Sequence, residues 1–228
     1  MWLFKKNKPH IPAFWNKYIA EFNQKVSSKT TIEDLNFFVV DTETSGLDIR
    51  KDHLLSIAGL TLRNKTVFLA ESFDCFLATS EEHSSKSIPI HGILPGNKLG
   101  QIGLETALSK LLALLSNKIL VGHHIQFDIQ MINRALSSVG AGKLRNHFID
   151  TAILAQRLGT IKNLDQNQGI SLDWLCRFYG LKMHERHTAA GDALLTSLIL
   201  CRQLDEFESK GLNKLQNLLQ GPIKTYRY

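Results

Sequence analysis

Residues 37–47 read Phe-Phe-Val-Val-Asp-Thr-Glu-Thr-Ser-Gly-Leu, four apolar residues that run directly into two acids. The apolar run predicts a strand that is buried on both faces. Because side chains alternate along a strand, Asp41 and Glu43 project from the same face at its carboxyl end. Gly46 then allows the chain to turn away. This stretch therefore predicts a central strand that presents a pair of carboxylates.

Two neighbouring carboxylates on a core strand repel each other and resist burial. A bound cation between them would relieve this repulsion, and Mg²⁺ and Mn²⁺ are the divalent ions that prefer carboxylate and water oxygens. The alternative is a polar strand end whose acids cap the next turn. Which interpretation applies depends on whether the rest of the chain supplies further ligands.

The composition is that of an ordinary globular chain of 228 residues, with a net charge of +6 and a pI of about 9.2. The basic balance fits an anionic partner such as nucleic acid. No apolar run approaches the roughly 18 residues of a membrane span, and we expect no membrane span and no secretory signal. The three cysteines form neither a disulfide framework nor a zinc pattern, which favours free thiols in a reducing cytoplasm; they are Cys75, Cys176 and Cys201.

The hydrophobic pattern predicts a β-meander followed by alternating helices and strands, which is typical of an α/β domain. We expect a mixed five-stranded sheet, a three-strand meander plus two further strands, flanked by helices. The predicted strands are 37–40, 54–62, 67–76, 119–122 and 148–150, and the predicted helices are 104–115, 125–139, 152–158, one from about 171, and 188–204.

Three regions differ in character along the chain. Residues 1–34 form an N-terminal extension and linker, in which apolar positions between Pro12 and Phe22 predict a helix with an aromatic face. This face packs on the main domain or, alternatively, binds a partner. Residues 35–206 form the α/β domain. Residues 207–228 form a tail with a short amphipathic segment at 212–219.

Further acids and a histidine follow later core elements. Asp128 comes shortly after the strand at 119–122, His187 precedes the last long helix, and Asp192 lies about one turn inside that helix. Singly, Asp128 could be a helix-dipole acid and His187 a surface histidine. Because open α/β sheets place their sites at the carboxyl ends of strands, we expect several of these acids to converge there.

Together these segments resemble the DnaQ-like DEDDh exonuclease superfamily, whose motifs are D-x-E, a mid-chain Asp and H-x₄-D. The matching stretches are Asp-Thr-Glu-Thr-Ser-Gly-Leu at 41–47, Val-Gly-His-His-Ile-Gln-Phe-Asp at 121–128 and His-Thr-Ala-Ala-Gly-Asp-Ala at 187–193. The resemblance covers about residues 35–206. It implies a ribonuclease H-like fold and 3′→5′ removal of nucleotides from nucleic acid ends. As substrate we expect single-stranded DNA or frayed DNA ends in preference to RNA.

The resemblance also implies a two-metal site with Mg²⁺ or Mn²⁺ as cofactors. Asp41, Glu43 and Asp192 would hold one ion, Asp41 would bridge to the second, and Asp128 would complete the cluster directly or through water. With a reference pKa of about 6.5, His187 is the expected general base.

Contacts to the substrate follow from the same motifs. By resemblance, Thr44, Gly46 and Leu47 touch the terminal nucleotide; Phe127 stacks on a base or packs in the core, and His123 contacts a phosphate or sugar. The chain departs from the family at His124, where Asn is common, and this departure weakens any transfer of detailed contacts at that position.

Three other functions are compatible with these residues. One is an exoribonuclease or oligoribonuclease that acts on RNA ends. Another is a noncatalytic nucleic-acid-binding module, although all five motif positions are filled. A third is a proofreading subunit associated with a polymerase. Residues 203–207 faintly resemble a sliding-clamp-binding peptide, but the spacing of Leu204 and Phe207 favours a packed helix end.

Overall fold

The computed structural model describes residues 11–78, 100–159 and 169–219. Residues 1–10 of the N-terminal extension and 220–228 of the tail lie outside this range. Within it, no helix combines the length and the low polarity that crossing a bilayer requires.

Within the described ranges, the sheet has six strands, in the spatial order β4-β3-β2-β1-β5-β6. The strands are β1 Asn36–Thr44, β2 Leu54–Arg63, β3 Thr66–Leu77, β4 Gln101–Ile102, β5 Ile119–Gly122 and β6 Phe148–Asp150. The β1–β2 and β2–β3 pairs are antiparallel, which confirms the predicted meander, and the β1–β5, β5–β6 and β3–β4 pairs are parallel. The predicted count of five strands is one short, because β4 has only two residues and no recognisable periodicity.

Seven α-helices surround the sheet in the described part of the chain. They are α1 Ala13–Ala20, α2 Leu104–Leu115, α3 Gln126–Ser138, α4 Thr151–Leu158, α5 Leu172–Phe178, α6 Ala189–Ser209 and α7 Leu215–Leu219. The bounds of α2 are those predicted from its apolar stripe. Helix α6 continues five residues past the predicted end at 204, because Phe207 is buried and keeps its last turn on the core.

Strand β1 lies between two hydrophobic clusters, one on each face of the sheet. Phe38 and Val40 belong to the cluster that contains α2 and α3, whereas Phe37 and Val39 belong to the cluster that contains α4, α6 and α7. All four side chains are at most 1% exposed. The prediction of a strand buried on both faces is therefore confirmed. Because side chains alternate along β1, each of its later residues faces either α2 and α3 or α4, α6 and α7.

Helix α1 packs on the first of these clusters. Tyr18 is buried; its hydroxyl donates to Asn146 Oδ1 at 2.6 Å and accepts from the Arg145 backbone N–H at 2.7 Å. Trp15 lies against Gly142, where an added Cβ would come within 2.5 Å of the indole. The aromatic face of α1 is thus used inside the molecule.

The segments before β1 and after α6 contact each other. Thr31 and Lys214 form an antiparallel β-bridge, the Leu215 N–H donates to the Thr30 carbonyl at 2.9 Å, and the Gln216 N–H donates to the Ser28 carbonyl at 2.8 Å. Residue 206, the expected end of the main domain, lies within α6.

Candidate active site

Three carboxylates meet where the end of β1 faces the start of α6. Asp41 and Glu43 share the face of β1 that also carries Phe37 and Val39, which is the face packed against α6. Asp192 lies in the first turn of α6. One ligand oxygen from each of these three residues lies within 4.8 Å of the other two. The structure therefore brings together three of the four acids that the sequence singled out.

The fourth acid, Asp128, reaches this region from the opposite face of the sheet. It is buried in the first turn of α3, and the Thr42 hydroxyl donates to its Oδ1 at 2.6 Å. Thr42 points toward α3 because it has the opposite orientation to Asp41 and Glu43 along β1. The charge of Asp128 still raises the pKa of Asp41, so the two carboxylates are electrostatic neighbours.

Burial and mutual repulsion perturb the acids of this cluster. Removal from water is the main cause that raises the pKa of Asp41 well above its usual range, and the charges of Asp128, Asp192 and Glu43 raise it further. Desolvation followed by neighbouring carboxylates raises the pKa of Glu43 to about 7. Desolvation likewise raises the pKa of Asp128 to about 7 against the opposing hydrogen bond from Thr42. Such a cluster favours either protons or a cation.

The donor set fits a divalent cation. All the candidate ligands are carboxylate oxygens, the donors that Mg²⁺ and Mn²⁺ prefer. In addition, Asp192 Oδ1 is buried and has no hydrogen-bond partner among the described residues. A buried carboxylate oxygen without a partner costs free energy, and a metal ion in the cluster would satisfy it.

Arg186 is a member of the site that the sequence did not predict. Its Nη1 donates to Asp192 Oδ2, and its Nε donates to Asp173 Oδ1 at 2.6 Å. The guanidinium also opposes the rise in the pKa of Asp41 and Glu43. It lies in a loop of no regular pattern, and adjacency to His187 was the only signal that could have drawn attention to it.

His187 lies at the edge of the site, in the loop before α6. Its side chain is exposed, and its backbone has a φ of 65°, in the left-handed region. The next residue, Thr188, caps α6 by accepting a hydrogen bond from the Gly191 N–H at 3.1 Å. The charge of His187 contributes to a lowered pKa of Asp173, after the larger effect of the Arg186 hydrogen bond. The imidazole is therefore near the Arg186 pair and open to solvent.

The second motif is largely turned inward. His123 Nδ1 lies 2.9 Å from Thr151 Oγ1, and burial lowers the pKa of His123 to about 3, so its ring is neutral. Phe127 is partly buried and packs against the cluster that contains α2 and α3. These positions supply a neutral imidazole and a core aromatic ring; contact of either residue with substrate stays a prediction.

The unusual His124 holds two segments together. Its backbone has a φ of 55°, a conformation that Asn and His tolerate better than most residues. Its N–H donates to Asp150 Oδ1 at 3.2 Å, and its Nε2 lies 3.0 Å from the Ile170 carbonyl oxygen. Asp150 Oδ1 also accepts from the Ala152 N–H and so caps α4. His124 therefore connects the second motif to the segment that leads into α5.

The predicted substrate contacts after Glu43 lie in a turn that leaves Leu47 exposed. Leu47 is 76% exposed, and no other described large hydrophobic side chain is more accessible. The Thr44 hydroxyl donates to the Gly46 carbonyl at 2.7 Å, which shapes the turn. A Cβ at Gly46 would lie 2.6 Å from the Asp52 carboxylate, so a larger residue there would displace the Asp52 side chain.

The clamp-like segment 203–207 is part of the core. Leu204 and Phe207 are at most 1% exposed, and the buried Gln203 amide donates to the Thr151 carbonyl at 2.8 Å. Of the two interpretations of this segment, the structure supports the packed helix end.

A model of the RNase_T family, described as exonucleases, matches residues 38–200. The PolC-type DNA polymerase III of Thermotoga maritima is 27% identical over 208 residues, which are 91% of this chain but 15% of that protein. The structure of E. coli exonuclease I in complex with a dT13 oligonucleotide has a TM-score of 0.67 at 14% identity, over 78% of this chain and 43% of that one. Exonuclease X in complex with 5′-overhanging duplex DNA has a TM-score of 0.58 at 18% identity, over 80% and 97% respectively.

These likenesses agree with the architecture described above. The solved structures share the ribonuclease H-like fold, and the family model spans the three segments that carry the acids. The chain itself corresponds to only a small part of its polymerase relatives. The matched residues and the arrangement of the carboxylates lead to one conclusion: the chain belongs to the RNase_T exonuclease family of the DnaQ-like superfamily.

Proposed function

We propose that the protein is a metal-dependent 3′→5′ exonuclease that hydrolyses the terminal phosphodiester bond of single-stranded DNA or of frayed DNA ends. The observation that carries this proposal is the group of Asp41, Glu43 and Asp192, whose ligand oxygens lie within 4.8 Å of one another. In addition, Asp192 Oδ1 is buried and has no hydrogen-bond partner in the described part of the chain. The DNA bound by exonucleases I and X supports the choice of substrate.

In this proposal Asp41, Glu43 and Asp192 would hold one divalent ion, Asp41 would also serve as a ligand of a second, and Asp128 would complete the cluster directly or through water. Two bound ions would polarise the attacking water and neutralise the leaving oxygen. Residues 35–206 would be the catalytic unit, with 1–34 and 207–228 as flanking segments.

The exposed His187 is the proposed general base. It lies in the loop that leads into α6, two residues before the helix begins and five residues before Asp192, and solvent can reach its ring. It would accept the proton of the attacking water. In the turn after β1, the exposed Leu47 would contact the terminal nucleotide, and Thr44 and Gly46 would shape the turn that presents it. The neutral His123 would act as a hydrogen-bonding group without charge.

A role beside a polymerase is the second candidate, and the PolC-type relatives favour it. In that case the chain would remove mispaired 3′ ends made by a partner enzyme. The same carboxylates would carry out the reaction, so the two candidates differ in whether the purified chain is active alone.

The test is the digestion of end-labelled single- and double-stranded DNA and RNA with Mg²⁺, with Mn²⁺ and with EDTA. We expect metal-dependent, stepwise loss of 3′ nucleotides, which Asp41→Asn abolishes. Glu33→Gln, an exposed acid before β1, is the matched control and should keep full activity. Cleavage that continues in EDTA or in Asp41→Asn would refute the assignment, whereas inactivity of the pure chain alone would favour the polymerase-associated role.

The role of His187 has its own test. His187→Ala should lower turnover by roughly 10²- to 10⁴-fold, the usual contribution of a general base, and leave Mn²⁺ affinity unchanged. His184→Ala, an exposed histidine in the same loop, should behave like the wild type. Parallel losses of metal affinity and turnover in His187→Ala would contradict the assigned role.

A further inference from the structure

Arg186 joins two helices through one guanidinium group. Its Nε donates to Asp173 in α5, and its Nη1 donates to Asp192 in α6. The side chains of Arg186 and Asp192 are 19% and 12% exposed, so this ion pair is shielded from water, whereas the Asp173 side chain is 39% exposed. Charged hydrogen bonds of this kind are stronger than neutral ones, and the planar fork of arginine fixes their geometry.

The two oxygens of Asp192 have different surroundings. Oδ2 accepts the hydrogen bond from Arg186, whereas Oδ1 is buried and has no partner among the residues that the structure describes. The same carboxylate meets Asp41 and Glu43. One carboxylate can therefore bind the guanidinium through one oxygen and a metal ion through the other. Groups that hold a metal ligand in this way orient it and are part of the site.

The loop that carries Arg186 has few other fixed points. Residues 182–185 and His187 are exposed, and Glu185 and His187 both have positive φ values. At its start, the Leu181 N–H donates to the Cys176 carbonyl at 2.8 Å, and at its end, the Thr188 hydroxyl donates to the Glu185 carbonyl at 2.8 Å. Between these points, Arg186 is the side chain that ties the loop to the acids.

We propose that Arg186 is a positioning residue that holds the His187 loop beside the acid cluster, and that its bridge between Asp173 and Asp192 persists when the cluster binds a divalent ion. The catalytic part of this inference rests on the proposed function, because it concerns where the general base lies. The alternative is that Arg186 is a substitute cation, which an incoming metal ion displaces from Asp192.

Hydrogen exchange of the backbone at 180–188 separates these two roles without any measurement of catalysis. Exchange in Arg186→Gln should be roughly ten- to a hundredfold faster than in the wild type, the effect expected from the loss of charged hydrogen bonds. Asp173→Ala should give a smaller increase, and the double variant should exchange no faster than Arg186→Gln, because both changes break one bridge. Arg177→Gln, an exposed arginine on α5, is the matched control.

The metal ion provides the decisive comparison. We expect the wild-type loop to be at least as protected with Mg²⁺ as with EDTA. Exchange that rises on addition of Mg²⁺ to the level of Arg186→Gln would overturn the proposal in favour of displacement. Equal exchange in wild type and Arg186→Gln under EDTA would overturn it as well.

Steady-state kinetics then tests the catalytic consequence. Arg186→Gln and Asp173→Ala should both lower kcat and leave KM nearly unchanged, although neither residue is a proposed metal ligand. A rise in KM confined to Arg186→Gln would instead identify a direct contact with substrate and refute the positioning role. If the purified wild-type chain has no nuclease activity on its own, the stand-alone function proposed above fails, and the exchange experiment still decides the role of Arg186.

Discussion

Replacing Asp128 with Asn should stabilise the metal-free protein at alkaline pH. Asp128 is buried, and its pKa is raised from 3.8 to about 7, chiefly by desolvation. Asn has nearly the same shape and keeps an oxygen that can accept the hydrogen bond from Thr42. The substitution therefore removes the cost of ionising this group in the folded state while it preserves the packing.

The sign and size of the effect follow from the two pKa values. Folding favours the protonated acid, so its full contribution to stability is present below pH 3.8 and is lost as pH rises to about 7. At about 1.4 kcal/mol for each pH unit, ionisation of Asp128 lowers the free energy of unfolding of the wild type by roughly 4 kcal/mol at pH 8 and by less than half of that at pH 5. For a chain of this size, 4 kcal/mol corresponds to roughly 10 °C in Tm.

The assay is thermal unfolding in EDTA at pH 5 and pH 8, with Glu33→Gln as the surface control. We expect the Tm of Asp128→Asn to exceed that of the wild type at both pH values, by more at pH 8 than at pH 5. Saturating Mg²⁺ should narrow the difference at pH 8, because the ion neutralises the wild-type cluster. An advantage of equal size at both pH values would refute the reasoning, since a pH-independent gain would come from packing instead of ionisation.

Two further substitutions test a close packing contact at the start of α6 and the buried hydrogen bonds of α1. Gly191→Ala would place a Cβ 2.1 Å from the Glu185 carbonyl oxygen, so thermal unfolding should show a destabilised protein. In a helix without such a contact, Ala is more stable than Gly by about 1 kcal/mol. A raised Tm would therefore contradict this close approach. Tyr18→Phe leaves the Asn146 amide oxygen and the Arg145 N–H without their shared partner, and urea unfolding should give a loss of about 2 kcal/mol, with no change in catalysis. Unchanged stability would mean that water replaces both bonds.

The sequence predicts best those features that depend on local periodicity. The alternation along β1 correctly placed Asp41 and Glu43 on one face, and the apolar stripe of α2 gave both of its ends. The motifs at Asp128 and Asp192 were predictable because each lies in the first turn of a helix that follows a recognisable core element. The element types and the acids that meet at the candidate site therefore follow from local sequence patterns and from the family motifs.

Features that depend on pairing between distant segments could not be predicted in this way. Strand β4 exists only because two residues pair with the end of β3, and its own sequence carries no signal. The bridge from Arg186 to Asp173 and Asp192 depends on a loop with positive φ values at Glu185 and His187, which no spacing rule describes. The inward orientation of His123 likewise depends on Thr151, 28 residues further along the chain.

The β-bridge between Thr31 and Lys214 has a consequence for how this fold can be rearranged. Because residues paired across strands lie about 5 Å apart, the points where the chain enters and leaves the α/β core are neighbours in space. A short peptide could join them, and new termini could be opened in the turn between β2 and β3, next to the exposed Asn64. For the same reason, the domain could be inserted into a surface loop of another protein while the host chain continues with little interruption.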